Sequence, residues 1–177
     1  MKISVFIATS LDGYIAKSDG DIDWLMDKRY KLEGEGFGYQ ELYDACDCLV
    51  MGRHSFEKVA SFDEWPYPDK RVVVLSHSLL TLPSHINDIE LFSGSITELL
   101  ASESLRGSEH LYVDGGKVIQ SFLEEGVVSE MTITTIPILL GDGIKLFGPL
   151  NKEKHLKLVS AQGYPNGFVQ SIYNLSN

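Results

Sequence analysis

The chain has 177 residues, 44% hydrophobic and 23% charged, with a formal net charge of −10. That length holds one domain with a sizeable core and is short for two, so residues 1–177 are read as a single domain. So acidic a surface argues against nucleic acid and anionic membranes as partners. No window approaches the roughly 18 apolar residues of a membrane helix, which leaves the cytoplasm as the expected location.

The first element is a strand over 2–9. Met1 to Ala8 imitates a signal peptide, but the apolar run is too short and ends in polar turn residues. Short continuous runs rich in Val, Ile and Leu predict further strands at 48–52, 71–76, 89–93 and 110–114, buried on both faces. Helices are expected between them at about 37–46, 54–60, 95–105 and 116–125. In the last, Val118, Ile119, Phe122 and Leu123 fall on one stripe. Ser95 with Glu98 has the spacing of a capping box. After Gly126 the segment Met131–Ile138 is strongly β-forming. The runs 155–163 and 167–175 flank Tyr164-Pro165-Asn166-Gly167, whose Asn-Gly step predicts a hairpin. The expected fold is therefore α/β, a mostly parallel mixed sheet flanked by helices with a C-terminal antiparallel hairpin. Two stretches lack periodicity, 10–36 and 61–70. Loops of that length are commonly functional, and Trp24, Leu25 and Met26 would tie the first one down.

Cys46 and Cys48 stand too close in sequence to bridge each other and are too few for a zinc site. They read as buried structural thiols. His54, His77, His85, His110 and His155 show no ligand spacing, so no metal is expected.

Three segments share one design, a strand followed by phosphate-friendly residues. Tyr112-Val113-Asp114-Gly115-Gly116-Lys117-Val118 runs from strand through a double glycine into a helix. Its backbone N–H groups and dipole suit a pyrophosphate, although a ligand-free tight turn uses the same glycines. Met51-Gly52-Arg53-His54-Ser55 repeats the pattern. Arg53 opposes the helix dipole there, so it needs an anion or a carboxylate nearby. Leu75-Ser76-His77 ends a strand in small polar groups. In open α/β sheets ligands bind at such carboxyl ends, and three on one edge point to a nucleotide crevice. Gly34-Glu35-Gly36-Phe37-Gly38 does not follow a strand and does not fit a dinucleotide fingerprint. Asp12, Asp23 and Asp27 are the carboxylates of the long first loop.

The ordered set Ala8, Asp12-Gly13-Tyr14-Ile15-Ala16, Asp23-Trp24, Val50-Met51-Gly52-Arg53, Val74-Leu75-Ser76, Asp114-Gly115-Gly116 and Thr134 resembles the dihydrofolate reductase superfamily. Ser10 to Ala16 and Pro137 to Gly143 are closer still to the branch sharing the reductase domain of bifunctional riboflavin-biosynthesis proteins. The resemblance implies an eight-stranded, three-layer fold and NADPH as hydride donor. Ala8 and Ile15 would lie near the nicotinamide, and Gly52, Arg53, His54 and Ser55 would hold phosphate. Ser76 and His77 would meet the adenosine 2′-phosphate, and Gly115, Gly116, Lys117 and Val118 the pyrophosphate.

The function expected on this basis is reduction of a small heterocycle, pterin-like or 5-amino-6-ribosylaminouracil-like. Asp12 is the first candidate for a substrate-contacting carboxylate, followed by Asp27 and Asp114. True dihydrofolate reduction and non-catalytic NADPH binding are the alternatives. A homodimer is expected, with Met131 to Phe147 offering an edge.

Overall fold

The structure, a computed structural model, describes residues 1–32, 36–78, 82–83 and 86–175. Gly34 and Glu35 of the glycine-rich stretch and His85 lie outside the described residues.

Five apolar runs become the parallel strands expected of them. β1 (Lys2–Ser10), β3 (Cys48–Gly52), β4 (Arg71–Leu75), β5 (Ile89–Phe92) and β6 (His110–Asp114) are joined in one sheet by β7 (Glu130–Ile136), also parallel. β9 (Leu156–Gly163) and β10 (Val169–Leu175) add the antiparallel hairpin, giving the order β5-β4-β3-β6-β1-β7-β10-β9. The hairpin turn closes as the Asn-Gly step demands, with Gly167 at φ +87° and its N–H donating to Tyr164 O at 2.9 Å.

Four helices flank the sheet: α1 (Tyr39–Ala45), α2 (Arg53–Ala60), α3 (Ile96–Arg106) and α4 (Gly116–Glu124). The stripe of α4 is the centre of one core layer, where Val118, Ile119, Phe122 and Leu123 pack on Val5, Val50 and Val113. Burying Phe122 alone is worth about 2–3 kcal/mol. On the other face Leu49, Met51, Val72, Val74 and Tyr112 form a second cluster with Phe56 and Tyr67. α3 begins in the expected capping box, Ser95 N donating to Glu98 at 2.7 Å and Glu98 N to Ser95 Oγ at 3.2 Å. Both cysteines are buried and unbridged, and burial pushes the Cys48 thiol up to about 12.

Two features differ from the sequence reading. The first long loop contains a strand, β2 (Tyr14–Ala16), which pairs antiparallel with β8 (Ile144–Lys145), and two short 3-10 turns at Asp23–Met26 and Lys28–Tyr30. The second concerns the free edge. Within Met131 to Phe147, β7 does not supply one to the main sheet, because it is enclosed between β1 and β10; the exposed edge of the sheet on that side is β9.

Candidate active site

The parallel strands bring Ser10, Gly52, Leu75, Asp114 and Ile136 to one edge of the sheet. There the starts of α2 and α4 converge. A Cβ on Gly115 would collide with Ser55 Oγ, and one on Gly52 would lie 3.1 Å from Val118 Cγ2. Gly115 has φ +90°, a conformation that glycine adopts without strain. Neither helix is capped by a side chain, in contrast to α3. Their first N–H groups are therefore left for solvent or an anion. Ile15 reaches this junction from the first loop, and a Cβ on Gly116 would stand 2.8 Å from its Cδ1. The fold thus gathers Ile15, Gly52, Ser55, Gly115, Gly116 and Val118. Arg53, the second residue of concern at this turn, pairs with Glu57 at 2.7 Å. His54, His77 and Lys117 are exposed nearby, and Ser76 Oγ donates to Ser78 O at 2.8 Å.

The three candidate carboxylates fall into different environments. Asp12 has both oxygens engaged: Ser10 Oγ donates at 2.6 Å, Leu140 N at 3.1 Å and Gly141 N at 2.8 Å. The Ser10 hydroxyl, with these amides, holds its pKa below the ordinary value. Both oxygens of Asp12 thus fasten the loop. Further bonds join the loop to the segment 138–146. Leu11 N donates to Ile138 O at 2.8 Å, Ser18 Oγ to Asp142 at 3.0 Å, and Leu146 N to Gly13 O at 3.1 Å. A Cβ on Gly143 would collide with Ala16 O. Asp12→Ala is expected to loosen residues 10–22, read as faster limited proteolysis within that segment; an unchanged cleavage rate would contradict the assignment.

Asp27 caps the second 3-10 turn and grips Arg29 through both carboxylate oxygens at 2.7–3.0 Å. The arginine brings its pKa down to about 2. A carboxylate so placed carries no proton to give at neutral pH.

Asp114 is the opposite case. It ends β6, one residue beyond the pairing of Val113 with Val5 and opposite Met51. Part of the residue reaches the surface, and burial raises its carboxyl's pKa to about 6, against a single backbone N–H from Gly115 that lowers it. Three tyrosines feel its charge. Tyr112 lies two residues back on the same face, and its hydroxyl donates to Phe6 O at 3.1 Å. Tyr39, in the first turn of α1, sets its ring edge-on to Phe6 at 5.6 Å and to Tyr112 at 6.1 Å, and shares a side-chain hydrogen bond with Tyr67. Burial raises Tyr39 to about 12 and Tyr67 and Tyr112 well above their ordinary range, Asp114 adding to each.

Sequence reasoning missed this tyrosine group. The alternation of β6 would have placed Tyr112 beside Asp114, whereas Tyr39 and Tyr67 come from separate segments with no mutual signal. Farther along the same face, Ala8 registers with Thr134, whose hydroxyl accepts from Gln170 Nε2 at 3.1 Å. Trp24 packs near Ala8, against Ile136 and Phe168, and is 4% exposed. Its buried indole N–H has no acceptor among the described residues.

This sheet order, with a glycine-lined junction and an acid at its carboxyl edge, defines a dihydrofolate reductase-like α/β protein. The RibD C-terminal domain family matches residues 1–170, and the chain belongs to it. It is similar to the crystal structure of a putative riboflavin biosynthesis protein from Shewanella sp. PV-4, with a TM-score of 0.93 and 38% identity over the whole of both chains. The Bacillus subtilis (strain 168) protein YwjB is 37% identical over 160 residues, 89% of this chain and 88% of YwjB. The Thermotoga maritima diaminohydroxyphosphoribosylaminopyrimidine deaminase/5-amino-6-(5-phosphoribosylamino)uracil reductase shares the fold. Its TM-score is 0.73 at 17% identity, over 99% of this chain and 56% of that one.

Proposed function

We propose that this protein is an NADPH-dependent reductase that delivers a hydride to a polarised bond of a small heterocycle, pterin-like or 5-amino-6-ribosylaminouracil-like. The observation that carries the reading is the convergence of two uncapped helix N-termini, at Gly52–Ser55 and Gly115–Val118, beside the carboxyl of Asp114. Membership of a family whose relatives include named reductases supports it.

In this reading Gly52, Arg53, His54 and Ser55 hold phosphate at the start of α2. Gly115, Gly116, Lys117 and Val118 cradle the pyrophosphate at the start of α4, and Ser76 and His77 lie by the 2′-phosphate. Ala8 and Ile15 bound the nicotinamide. NADPH, when bound, supplies the hydride; the chain orients the ring, excludes water and moves the proton. Asp114 is the group that holds and donates that proton, and Tyr39, Tyr67 and Tyr112 keep its surroundings dry. Trp24 offers an unused buried donor on the same face. A homodimer completes the reading.

NADPH consumption measured with pterins, flavin precursors and quinonoid acceptors tests it. Turnover with one of these classes supports a reductase. Saturable cofactor binding with no turnover across all of them favours a non-catalytic NADPH-binding protein. Dihydrofolate reduction through Asp27 is a separate alternative, disfavoured by the carboxylate's grip on Arg29. Asp27→Asn is expected to leave kcat within about twofold, since a group ionised at all working pH values is no general acid. A loss of a hundredfold would return Asp27 to the chemistry.

A further inference from the structure

We infer that Gln170 is a positioning residue that decides which edge of a heterocycle the site accepts. Its amide fixes the Thr134 hydroxyl as a hydrogen-bond donor, so the ring must turn a carbonyl oxygen, not an amino group, toward β7. The inference rests on the reductase reading above and narrows its substrate to heterocycles with a ring carbonyl.

The polarity follows from the partners of one side chain. Gln170 is 8% exposed and stands opposite Thr134 in the ladder of β7 and β10. Its Nε2 donates to Phe37 O at 2.8 Å and to Thr134 Oγ1 at 3.1 Å, and its Oε1 accepts from the Tyr164 hydroxyl at 3.3 Å. A backbone carbonyl only accepts, so the NH2 end of the amide must face Phe37. The same end meets Thr134, whose oxygen is therefore the acceptor of that pair. The hydroxyl proton points elsewhere and meets no acceptor among the described residues. Thr134 is 5% exposed, so leaving that proton without a partner is costly.

Phe37 locks the amide in this orientation. It sits at φ +53°, in the left-handed region that a residue with a side chain rarely adopts, directly before Gly38, the N-cap of α1. Gln170 holds its carbonyl there. Turning the amide over would offer its oxygen to Thr134 but would set oxygen against the Phe37 carbonyl.

The donor lies where a substrate would. Thr134 registers with Ala8 of β1. Trp24 packs on Ile136, two residues further along β7, and its buried indole N–H has no acceptor among the described residues. Two side chains with a donor to spare thus border Ala8. A carbonyl oxygen has two lone pairs to offer, whereas an amino group would set donor against donor. Asp114 ends β6, on the far side of β1 from β7. β6 and β7 are two strand spacings apart, about 10 Å, which is room for one flat ring system between them. The ring is held by its carbonyl at the Thr134 end and takes its proton at the Asp114 end.

Fluorescence titration of the full chain, with NADP⁺ present, tests the inference with two probes. One is lumazine, a pteridine with two ring carbonyls; the other is diaminopteridine, with amino groups in their place. The wild type is expected to bind lumazine about 10–100-fold more tightly, the effect of one buried donor left unsatisfied. Gln170→Glu sets an acceptor oxygen against Thr134, turns the hydroxyl to donate to it, and should reverse the preference. Gln170→Leu frees the hydroxyl and should bring the two affinities close together. Thr134→Val, which leaves the Gln170 bond to Phe37 in place, should do the same, and it carries the test if the Gln170 variants do not fold. A purely structural role for Gln170 would treat Glu and Leu alike, and that result would overturn the inference. So would a wild type without the preference, failure of both probes to bind, or an unchanged preference in Thr134→Val. Each of these leaves the reductase reading in place, since that reading stands on NADPH turnover.

Discussion

Asp114→Asn is expected to lower kcat by about 10²–10⁴-fold, the usual contribution of a positioned general acid, with NADPH affinity changed little. The side chain is isosteric, and Asp114 is not among the cofactor contacts proposed here. The pH profile separates a proton donor from a merely structural residue. The Asp114 carboxyl stands at about 6, raised by burial from 3.8. The groups facing it are Tyr39, Tyr67 and Tyr112, all raised and so neutral across the working range, and the Gly115 N–H. As general acid it must carry its proton, so wild-type turnover should fall as pH rises through about 6. Stability follows the same sign. The folded carboxyl binds its proton more tightly than the unfolded one, so its contribution is full below about 4 and is lost as pH rises through about 6. Asp114→Asn should flatten both dependences. A variant that keeps full turnover and an unchanged profile would remove Asp114 from the chemistry.

The largest stability effect is expected far from the site, at Arg71→Met. Glu103 on α3 is 1% exposed, and its carboxylate is held by Arg71, with Ser108 Oγ donating at 2.8 Å and Arg106 at 4.0 Å. Removing Arg71 leaves a buried carboxylate with one hydroxyl and a distant arginine. Breaking a buried pair in this way costs about 3–5 kcal/mol. The remaining partners favour the low end, about 3 kcal/mol, or roughly 6–12 °C in Tm for a domain of this size. Replacing both ends, as Arg71→Met with Glu103→Leu, should recover most of the loss, because the uncompensated charge is gone. Thermal unfolding followed by circular dichroism reads both variants. A single variant as stable as the wild type would show that the pair contributes nothing net.

Legibility in the sequence followed the range of the interaction. β3, β4 and β6 are continuous apolar runs because both of their faces are covered, and α4 carries its stripe because one face is. Such patterns are written within a few residues. β2 and β8 were not legible. They are three and two residues long, and their pairing joins Tyr14 to Lys145 across most of the chain. β9 lacks alternation because all of it is exposed.

The candidate site divides in the same way. The glycine steps were legible because close approach of two helix starts admits nothing larger at Gly115. The environments of the acids were not. Asp12 stood beside the expected nicotinamide, but nothing local reveals that Leu140 and Gly141 supply its amide donors. Asp114 stood behind Asp12 among the candidate acids, and nothing local reveals its burial or that Tyr39 and Tyr67, from α1 and from the 61–70 loop, feel its charge.

The central claim is that the carboxyl edge of this sheet is built for NADPH. Titration calorimetry of the wild type with NADPH, repeated with Gly115→Val, tests it most directly. A side chain at Gly115 meets Ser55 and a φ of +90°, and so spoils the junction. Saturable one-to-one binding in the wild type that is lost in Gly115→Val, with the variant still folded, is the predicted result. No binding to the wild type at millimolar NADPH would contradict it.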